Sequence, residues 1–159
     1  MILTTHALAG AIIGKEVENP FWIVVFSLIT HFFMDSFRHG EYLDEKKATI
    51  KNTWWKIALD LSAAFLIVFS LTYFKDFSPE KSRNILLGSF ASMFPDLITA
   101  IYWLFPTRIF RKIIRFHFFC HRYGKYPKDA RERHWNLRNA RNDILISAAV
   151  IIMIIIGTN

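Results

Sequence analysis

The sequence predicts an all-α, polytopic membrane protein with four or five transmembrane helices and a basic amphipathic helix at the membrane interface. Three observations lead to this fold class. Apolar residues make up 53% of the 159 residues and charged residues only 21%, with a mean hydropathy of +0.24. The apolar residues form more long runs than one small soluble core could bury. The formal net charge of +7 is concentrated in two loops, as is typical of cytoplasmic loops in membrane proteins.

Four apolar runs approach the length of about 20 residues that a helix needs to cross a bilayer. They are 20–37, 54–74, 85–105 and 144–157. A fifth run, 2–14, is short, so it is a thin span, a re-entrant helix or a buried helix. It lacks the basic start and the cleavage site of a signal peptide, and we expect it to stay in the protein. The whole chain, 1–159, is predicted to form one membrane domain.

The run 2–14 carries two glycines four residues apart, Gly10 and Gly14. Small residues at this spacing let another helix approach closely in lipid. We therefore predict helix–helix self-association through Gly10 and Gly14, with two small residues that merely share a helix face as the alternative.

Basic residues are distributed unevenly among the loops. Five lie in 38–56 and eleven in 108–141, against one in 15–19 and three in 75–83. The positive-inside rule then places the loops 38–53 and 106–141 in the cytoplasm. The predicted location is the inner, cytoplasmic membrane, crossed several times.

The segment 107–124 alternates basic residues with large apolar ones. This pattern predicts an amphipathic helix lying on the inner membrane face, followed by a basic loop up to residue 142. Membrane lipid with anionic headgroups is the expected partner, since each basic residue near the surface contributes about 1 kcal/mol of attraction. Nucleic acid is a weaker expectation, because no nucleic-acid-binding fold is visible in the sequence.

Five ionisable residues lie inside the apolar runs: His6, His31, Asp35, Asp60 and Asp96. Such residues are costly in lipid and usually functional. The predicted topology puts all five in the inner half of the membrane. Their common depth was not used to derive the topology, and it indicates one shared site.

The sharpest local pattern is His31-x-x-x-Asp35-x-x-x-His39, which lies on one helix face. Imidazole and carboxylate ligands suit zinc, manganese or iron. The single cysteine, Cys120, excludes a thiolate-rich site. The two histidines are about 12 Å apart along the axis, so His31 pairs with Asp35 or Asp35 bridges two ions. A seam of hydrogen-bonded helix contacts is the alternative.

Asp96 follows Pro95 inside the run 85–105. Proline frees a backbone carbonyl and kinks a helix, and in lipid such a break needs protein or water around it. We therefore assign Asp96 as a metal ligand, with a helix–helix hydrogen bond as the alternative. Asp60 is less specific, and we assign it as a general base, with a supporting partner of a ligand histidine or a packing residue as alternatives.

The other histidines complete the predicted site. His6 is assigned as a metal ligand because of its depth, although a buried, hydrogen-bonded histidine is the alternative. His117 and His121 share one face of the interfacial helix; we assign His117 as a ligand and His121 as a general base, with histidines at headgroup level as the alternative. Arg115 and Arg122 are candidates for binding a substrate phosphate, and attraction to anionic lipid is the simpler explanation.

Three short motifs resemble one family. The opening 4–10 (TTHALAG) is similar to its N-terminal threonine-histidine motif, 27–35 (SLITHFFMD) to its SHxxxD helix, and 94–96 (FPD) to its LPD helix. The segment 116–121 is loosely similar to its histidine-rich segment. The family is that of the small membrane-bound, metal-dependent hydrolases of bacteria and archaea, of the inner-membrane, LexA-binding type. There the proline-aspartate motif usually precedes the histidine helix, whereas here it follows, as in a sister group.

The resemblance implies a metal-dependent hydrolase. We predict a divalent transition metal, and a lipid or phosphoester substrate at the cytoplasmic leaflet. A metal-ion or proton transporter is one alternative, because intramembrane ionisable residues also form relays. A non-catalytic scaffold that recruits a partner through its basic loop is another. The outer halves of the runs, such as 21–26 and 65–71, are nearly all apolar, which favours a one-sided site over an ion path.

Overall fold

The computed structural model describes residues 1–37, 39–40, 50–122 and 137–156, and within these ranges it is all-helical. The all-α part of the predicted fold class is therefore found. The helices are α1 Leu3–Glu16, α2 Pro20–Asp35, α3 Ile50–Phe74, α4 Pro79–Leu104, α5 Arg108–Arg122 and α6 Leu137–Ile156. Much of the two predicted cytoplasmic loops, 41–49 and 123–136, lies outside the described residues.

Each predicted run corresponds to a helix, but three helices begin earlier than predicted, and α3 begins at Ile50 rather than at 54. The N-cap side chain of Ser78 accepts a hydrogen bond from the Lys81 amide, and Pro79 occupies the first helical position, so α4 starts six residues before the apolar run. α6 begins at Leu137 rather than at 144. It therefore includes Asp143, which is buried.

Two of the described helices are long and apolar enough to cross a membrane: Thr53–Phe74 of α3 and Pro79–Tyr102 of α4. The expected four or five spans are not confirmed, because α1 and α2 have only 14 and 16 residues. Only 11% of the apolar window of α3 is buried, whereas the core helix of a soluble domain is mostly buried. Large apolar side chains such as Leu66 and Phe69 are exposed instead, which permits a membrane location.

The short helix α1 is the centre of the fold. It contacts α2, α3, α4 and α6, and its side chains from Thr4 to Ala11 are all buried. The run predicted as a thin span, a re-entrant helix or a buried helix is thus buried among the other helices, and whether it also crosses a membrane stays a prediction. Its small residues are needed because the neighbouring backbones come so close.

Gly10 and Gly14 face α4 of the same chain. A Cβ atom on Gly10 would lie 2.1 Å from the carbonyl oxygen of Gly88, and one on Gly14 would lie 2.0 Å from that of Asn84. The close helix approach predicted for this pair is thus made within the chain. A second copy could use the same face only by displacing α4, and self-association stays a prediction.

Candidate metal centre

Histidines and aspartates from four helices converge around the buried carboxylate of Asp35. α1 contributes His6, α2 contributes His31 and Asp35, α4 contributes Asp96, and α5 contributes His117 and His121. His39, just after α2, is also buried beside this group. The structure therefore places together the six residues predicted as metal ligands and one of the two predicted general bases. A buried cluster of this composition could hold a metal ion.

Three histidine nitrogens surround one oxygen of Asp35. Its Oδ2 atom lies 2.9 Å from Nε2 of His117, 3.0 Å from Nε2 of His31 and 3.3 Å from Nε2 of His121. The Nε2 atoms of His31 and His117 are 3.1 Å apart, as are those of His117 and His121. Ligand atoms of a tetrahedral zinc ion lie about 3.3 Å from one another, given metal–nitrogen distances near 2.05 Å. The spacing of His31, Asp35 and His117 is close to that of a coordination shell.

The ligand atoms form two groups that share Asp35. One group is His31, Asp35, Asp96 and His117, and the other is Asp35, His39 and His121; within each, the atoms lie within 4.8 Å of one another. Asp35 thus belongs to both groups, and each group could hold a metal ion. His121, predicted as a base, thus stands where a ligand would.

Hydrogen bonds fix the orientation of the ligand histidines. Nδ1 of His31 lies 2.7 Å from the Ser92 carbonyl, and Nδ1 of His39 lies 2.8 Å from the Phe37 carbonyl. Because a carbonyl only accepts, each Nδ1 carries a proton, and in the neutral form of each ring the lone pair is on Nε2. Metal-binding histidines are usually held in this way.

Thr99 orients His117 in a similar way. Its hydroxyl donates to the Pro95 carbonyl at 3.3 Å and lies 3.2 Å from Nδ1 of His117. Because the hydroxyl proton is directed at the Pro95 carbonyl, the hydroxyl oxygen accepts a hydrogen bond from Nδ1 of His117. The Nε2 atom of His117 then remains available to bind a metal ion. Pro95 lies inside α4, so the predicted proline position is next to the cluster. Thr99 connects the two, because its hydroxyl contacts both the Pro95 carbonyl and His117. Sequence analysis missed Thr99, although a hydroxyl one turn after a proline is a recognisable signal.

Two of the histidines outside the long apolar helices are held neutral. Burial lowers the pKa of His39 to about 3, and burial also holds the pKa of His121 well below its usual range. An imidazole binds a metal ion only when it is neutral. Both side chains are therefore in the metal-binding form near pH 7.

His6 lies beside the two ligand groups rather than within them. Its Nε2 is 3.2 Å from Oδ1 of Asp35 and 3.9 Å from Oδ2 of Asp96, and its ring centroid is 4.1 Å from that of His31. The backbone nitrogen of Met1 also donates to Oδ1 of Asp35, at 2.8 Å. Oδ1 is thus held by hydrogen bonds, while Oδ2 faces the other histidines.

Asp60, the other predicted base, anchors α1 instead of joining the cluster. It accepts hydrogen bonds from the amides of Leu3 and Thr4, at 2.7 and 3.0 Å, and from the Thr4 hydroxyl at 2.6 Å. Asp143 accepts one from the Ile2 amide at 3.0 Å. Together the two carboxylates replace a cap that α1 lacks, and they fix the helix that carries His6. Sequence analysis missed Asp143, which directly precedes the aliphatic run 144–157.

Of the two predicted phosphate-binding arginines, Arg115 is not brought to the cluster. The side chain of Arg115 is exposed while His117 is buried. Two residues correspond to about 200° around a helix, so Arg115 lies on the opposite face of α5. The side chain of Arg122 lies outside the described part of the chain.

A cavity of about 330 Å³ opens beside the cluster, between α3, α4 and α5. Asp96, Thr99, His117 and His121 line one part of it, and the rest of the wall is mostly apolar. A ligand in this cavity would therefore meet both candidate ion positions.

The chain matches no protein-family model, no curated protein and no solved structure. The resemblance to the membrane-bound hydrolases thus stays a prediction from short motifs. The geometry of the described residues is what supports a function.

Proposed function

We propose that the chain is a membrane-embedded, metal-dependent hydrolase that acts at the cytoplasmic leaflet. A single observation carries the proposal: the proton of His31 is held on Nδ1 by the Ser92 carbonyl, so its Nε2 lone pair faces Oδ2 of Asp35 at 3.0 Å. Two acceptors this close, both buried, repel each other unless a cation or an extra proton lies between them. A metal ion would satisfy both, and it would satisfy His117 as well.

Each residue has a distinct role in this proposal. His31, Asp96 and His117 would hold one ion and His39 and His121 a second, and Asp35 belongs to both groups. His6 holds the Oδ1 oxygen of Asp35, which keeps Oδ2 in place. The metal is a divalent transition ion, for which zinc, manganese and iron remain candidates from ligand type.

A hydrolase is favoured because the candidate site has an open side. Asp96, His117 and His121 border the cavity, so a substrate could reach the ligand groups. A bound divalent ion lowers the pKa of a coordinated water and polarises a phosphoryl or acyl oxygen. The side chains of the cluster would hold the reacting group in place, and the apolar remainder of the cavity would keep bulk water out.

The cytoplasmic location rests on the positive charge of the loops 38–53 and 106–141. The basic helix α5 carries His117 and His121 on its buried face, so a cytoplasmic α5 would place the centre at the inner leaflet, where anionic headgroups are the expected partners. A reporter fused within 106–141 should therefore give a cytoplasmic signal. A periplasmic signal would contradict the leaflet assignment.

The test of the function is hydrolysis by protein purified in detergent. We expect metal-loaded protein to cleave bis(p-nitrophenyl) phosphate or p-nitrophenyl butyrate, a chelator to remove the activity, and one of the three candidate ions to restore it. Protein carrying Asp35→Ala, purified in parallel, controls for contaminating enzymes. Metal-loaded protein that cleaves neither compound faster than this variant would contradict the proposal.

A proton or metal-ion transporter is the second candidate, and one observation favours it. Buried polar side chains continue away from the cluster along α4 and α2, namely Ser92, Ser89, Asn84 and Ser27. They lie where Gly10, Gly14 and Gly88 bring helices into contact, which leaves little room for an ion path. Zinc and proton flux into proteoliposomes would separate the two functions, since a one-sided hydrolase should carry neither ion.

A further inference from the structure

We infer that the substrate is a membrane amphiphile whose hydrocarbon chain lies in the cavity between α3 and α4 while its ester or phosphoester group reaches Asp96, His117 and His121. The inference rests on the proposed function, which supplies a reaction class but no substrate. It goes beyond that function by assigning a chain-binding site to a set of residues outside the metal centre.

The cavity wall is apolar along most of its length. On α3 it is formed by side chains four residues apart, and on α4 by a matching face; these are Ile57, Leu61, Phe65, Phe90, Met93, Phe94 and Leu97. From Ile57 to Phe65 the wall runs for about 12 Å along α3, at about 1.5 Å per residue. A wall of this kind offers hydrocarbon contact and no hydrogen bonds.

Polar groups are confined to the end of the cavity next to the cluster. Asp96 and Thr99 lie toward the end of α4, and Phe90 lies about 9 Å before Asp96 along the helix axis. α3 and α4 are joined by only a few residues and contact each other, so they run antiparallel. Ile57 is therefore near the polar end and Phe65 near the apolar end. The cavity has the polarity of an amphiphile, with one polar terminus and one long apolar body.

The rim of the cavity is exposed on the apolar side. Phe65, Phe90 and Phe94 line the cavity and are still 39%, 50% and 41% exposed. They belong to the two helices that are long and apolar enough to cross a membrane. In a bilayer this rim would face hydrocarbon, so a chain dissolved in the membrane could enter between the helices without passing through water. We therefore expect the substrate to enter the site from the bilayer.

The test compares a short and a long probe on one metal centre. The probes are methylphosphonic acid and dodecylphosphonic acid, titrated in the same detergent into protein loaded with Co²⁺, whose visible absorption reports binding at the ion. Leu61→Trp and Ile57→Trp each fill the cavity wall, and neither residue is a candidate ligand. Leu66→Trp is the matched control, because Leu66 is on α3, is 69% exposed and does not line the cavity.

We expect the ratio of dodecyl to methyl affinity to fall by about tenfold in the cavity variants, which corresponds to fewer than two buried methylenes. Leu66→Trp should leave the ratio unchanged. An unchanged ratio in both cavity variants, with Co²⁺ bound, would overturn the chain-binding site alone. Protein that loads no Co²⁺ would overturn the proposed function and this inference together.

Discussion

Asp35 on α2 and Asp60 on α3 are carboxylates inside the same helical assembly, yet their neighbours differ in kind. Every hydrogen bond that we describe for Asp60 comes from a donor, two amides and a hydroxyl at the start of α1. Oδ2 of Asp35 instead faces three imidazole nitrogens, and the Nδ1 proton of His31 is held by a carbonyl. The first carboxylate acts as a structural cap. A cation shared between the second carboxylate and the imidazoles is what we propose, and this difference separates a structural from a functional acid.

The largest expected effect is on metal content. Asp35→Ala should lose most of the bound metal, because it removes the only carboxylate shared by both ligand groups. The loss of affinity should exceed the roughly 10–100-fold of a change outside the ligands. Metal analysis of purified protein measures it, and Asp60→Asn is the matched control that should keep its metal. Equal metal content in wild type and Asp35→Ala would contradict the assignment of Asp35 as a metal ligand.

The next effect is a coupling between helices. His31→Ala and Asp96→Ala should each abolish binding at the first ion position, and the double variant should lose no more than either single one. Residues that hold one ion act as a unit, whereas independent contacts add. Titration of Co²⁺ into the wild type, both singles and the double measures this. Additive losses would indicate two separate polar contacts in place of a shared ion.

Sequence predicted this convergence better than it predicted the roles. His31, Asp35 and Asp96 could be placed at one depth because their runs are long and the charge of the loops orients them. Whether His121 acts as a ligand or a base depends on how α5 docks beside His39, which is a tertiary contact that no local pattern encodes. Asp60 was assigned to chemistry because its partners, the unpaired amides of α1, lie 56 and 57 residues away.

The packing of run 2–14 was hidden for a related reason. A hydropathy criterion is met equally by a thin span and by a buried helix, and the close contact of Gly10 with Gly88 appears only in the folded chain. Helix α6 could be placed by its aliphatic run, but the role of Asp143 could not, because its partner Ile2 is 141 residues away. Local sequence patterns thus predict helices well, but they do not identify polar partners that are far apart in the sequence.

A smaller effect is expected at Thr99. Thr99→Val keeps the shape of the side chain but removes the acceptor for Nδ1 of His117, so the ring is less firmly held. Metal affinity should fall by about 10–100-fold, with stoichiometry at saturation unchanged. Thr72→Val is the control, since the Thr72 hydroxyl bonds only the carbonyls of Val68 and Phe69 among the contacts described. If both variants bind metal equally, Thr99 does not orient the centre.

Asp60→Asn should have the smallest effect on metal binding. It is also the most direct test of the difference between Asp35 and Asp60. The amide keeps one acceptor oxygen but loses the charge that favours a carboxylate at a helix N-terminus. It also turns an NH₂ group toward the donors of Leu3 and Thr4. We expect the free energy of unfolding to fall by about 1–3 kcal/mol, with metal stoichiometry equal to that of the wild type. Thermal unfolding in detergent should show it as about 2–4 °C for each kcal/mol.

Asp76→Asn provides the matched comparison, because Asp76 lies in the turn after α3 with a positive φ of 49°, a conformation that asparagine tolerates. It should change neither stability nor metal content. If Asp60→Asn instead lost activity or metal while keeping its melting temperature, Asp60 would act at the centre, as the sequence alone predicted, and the capping role would be secondary. A fall in melting temperature with full metal content would keep Asp60 as the anchor of α1, whose position in turn sets that of His6 against Asp35.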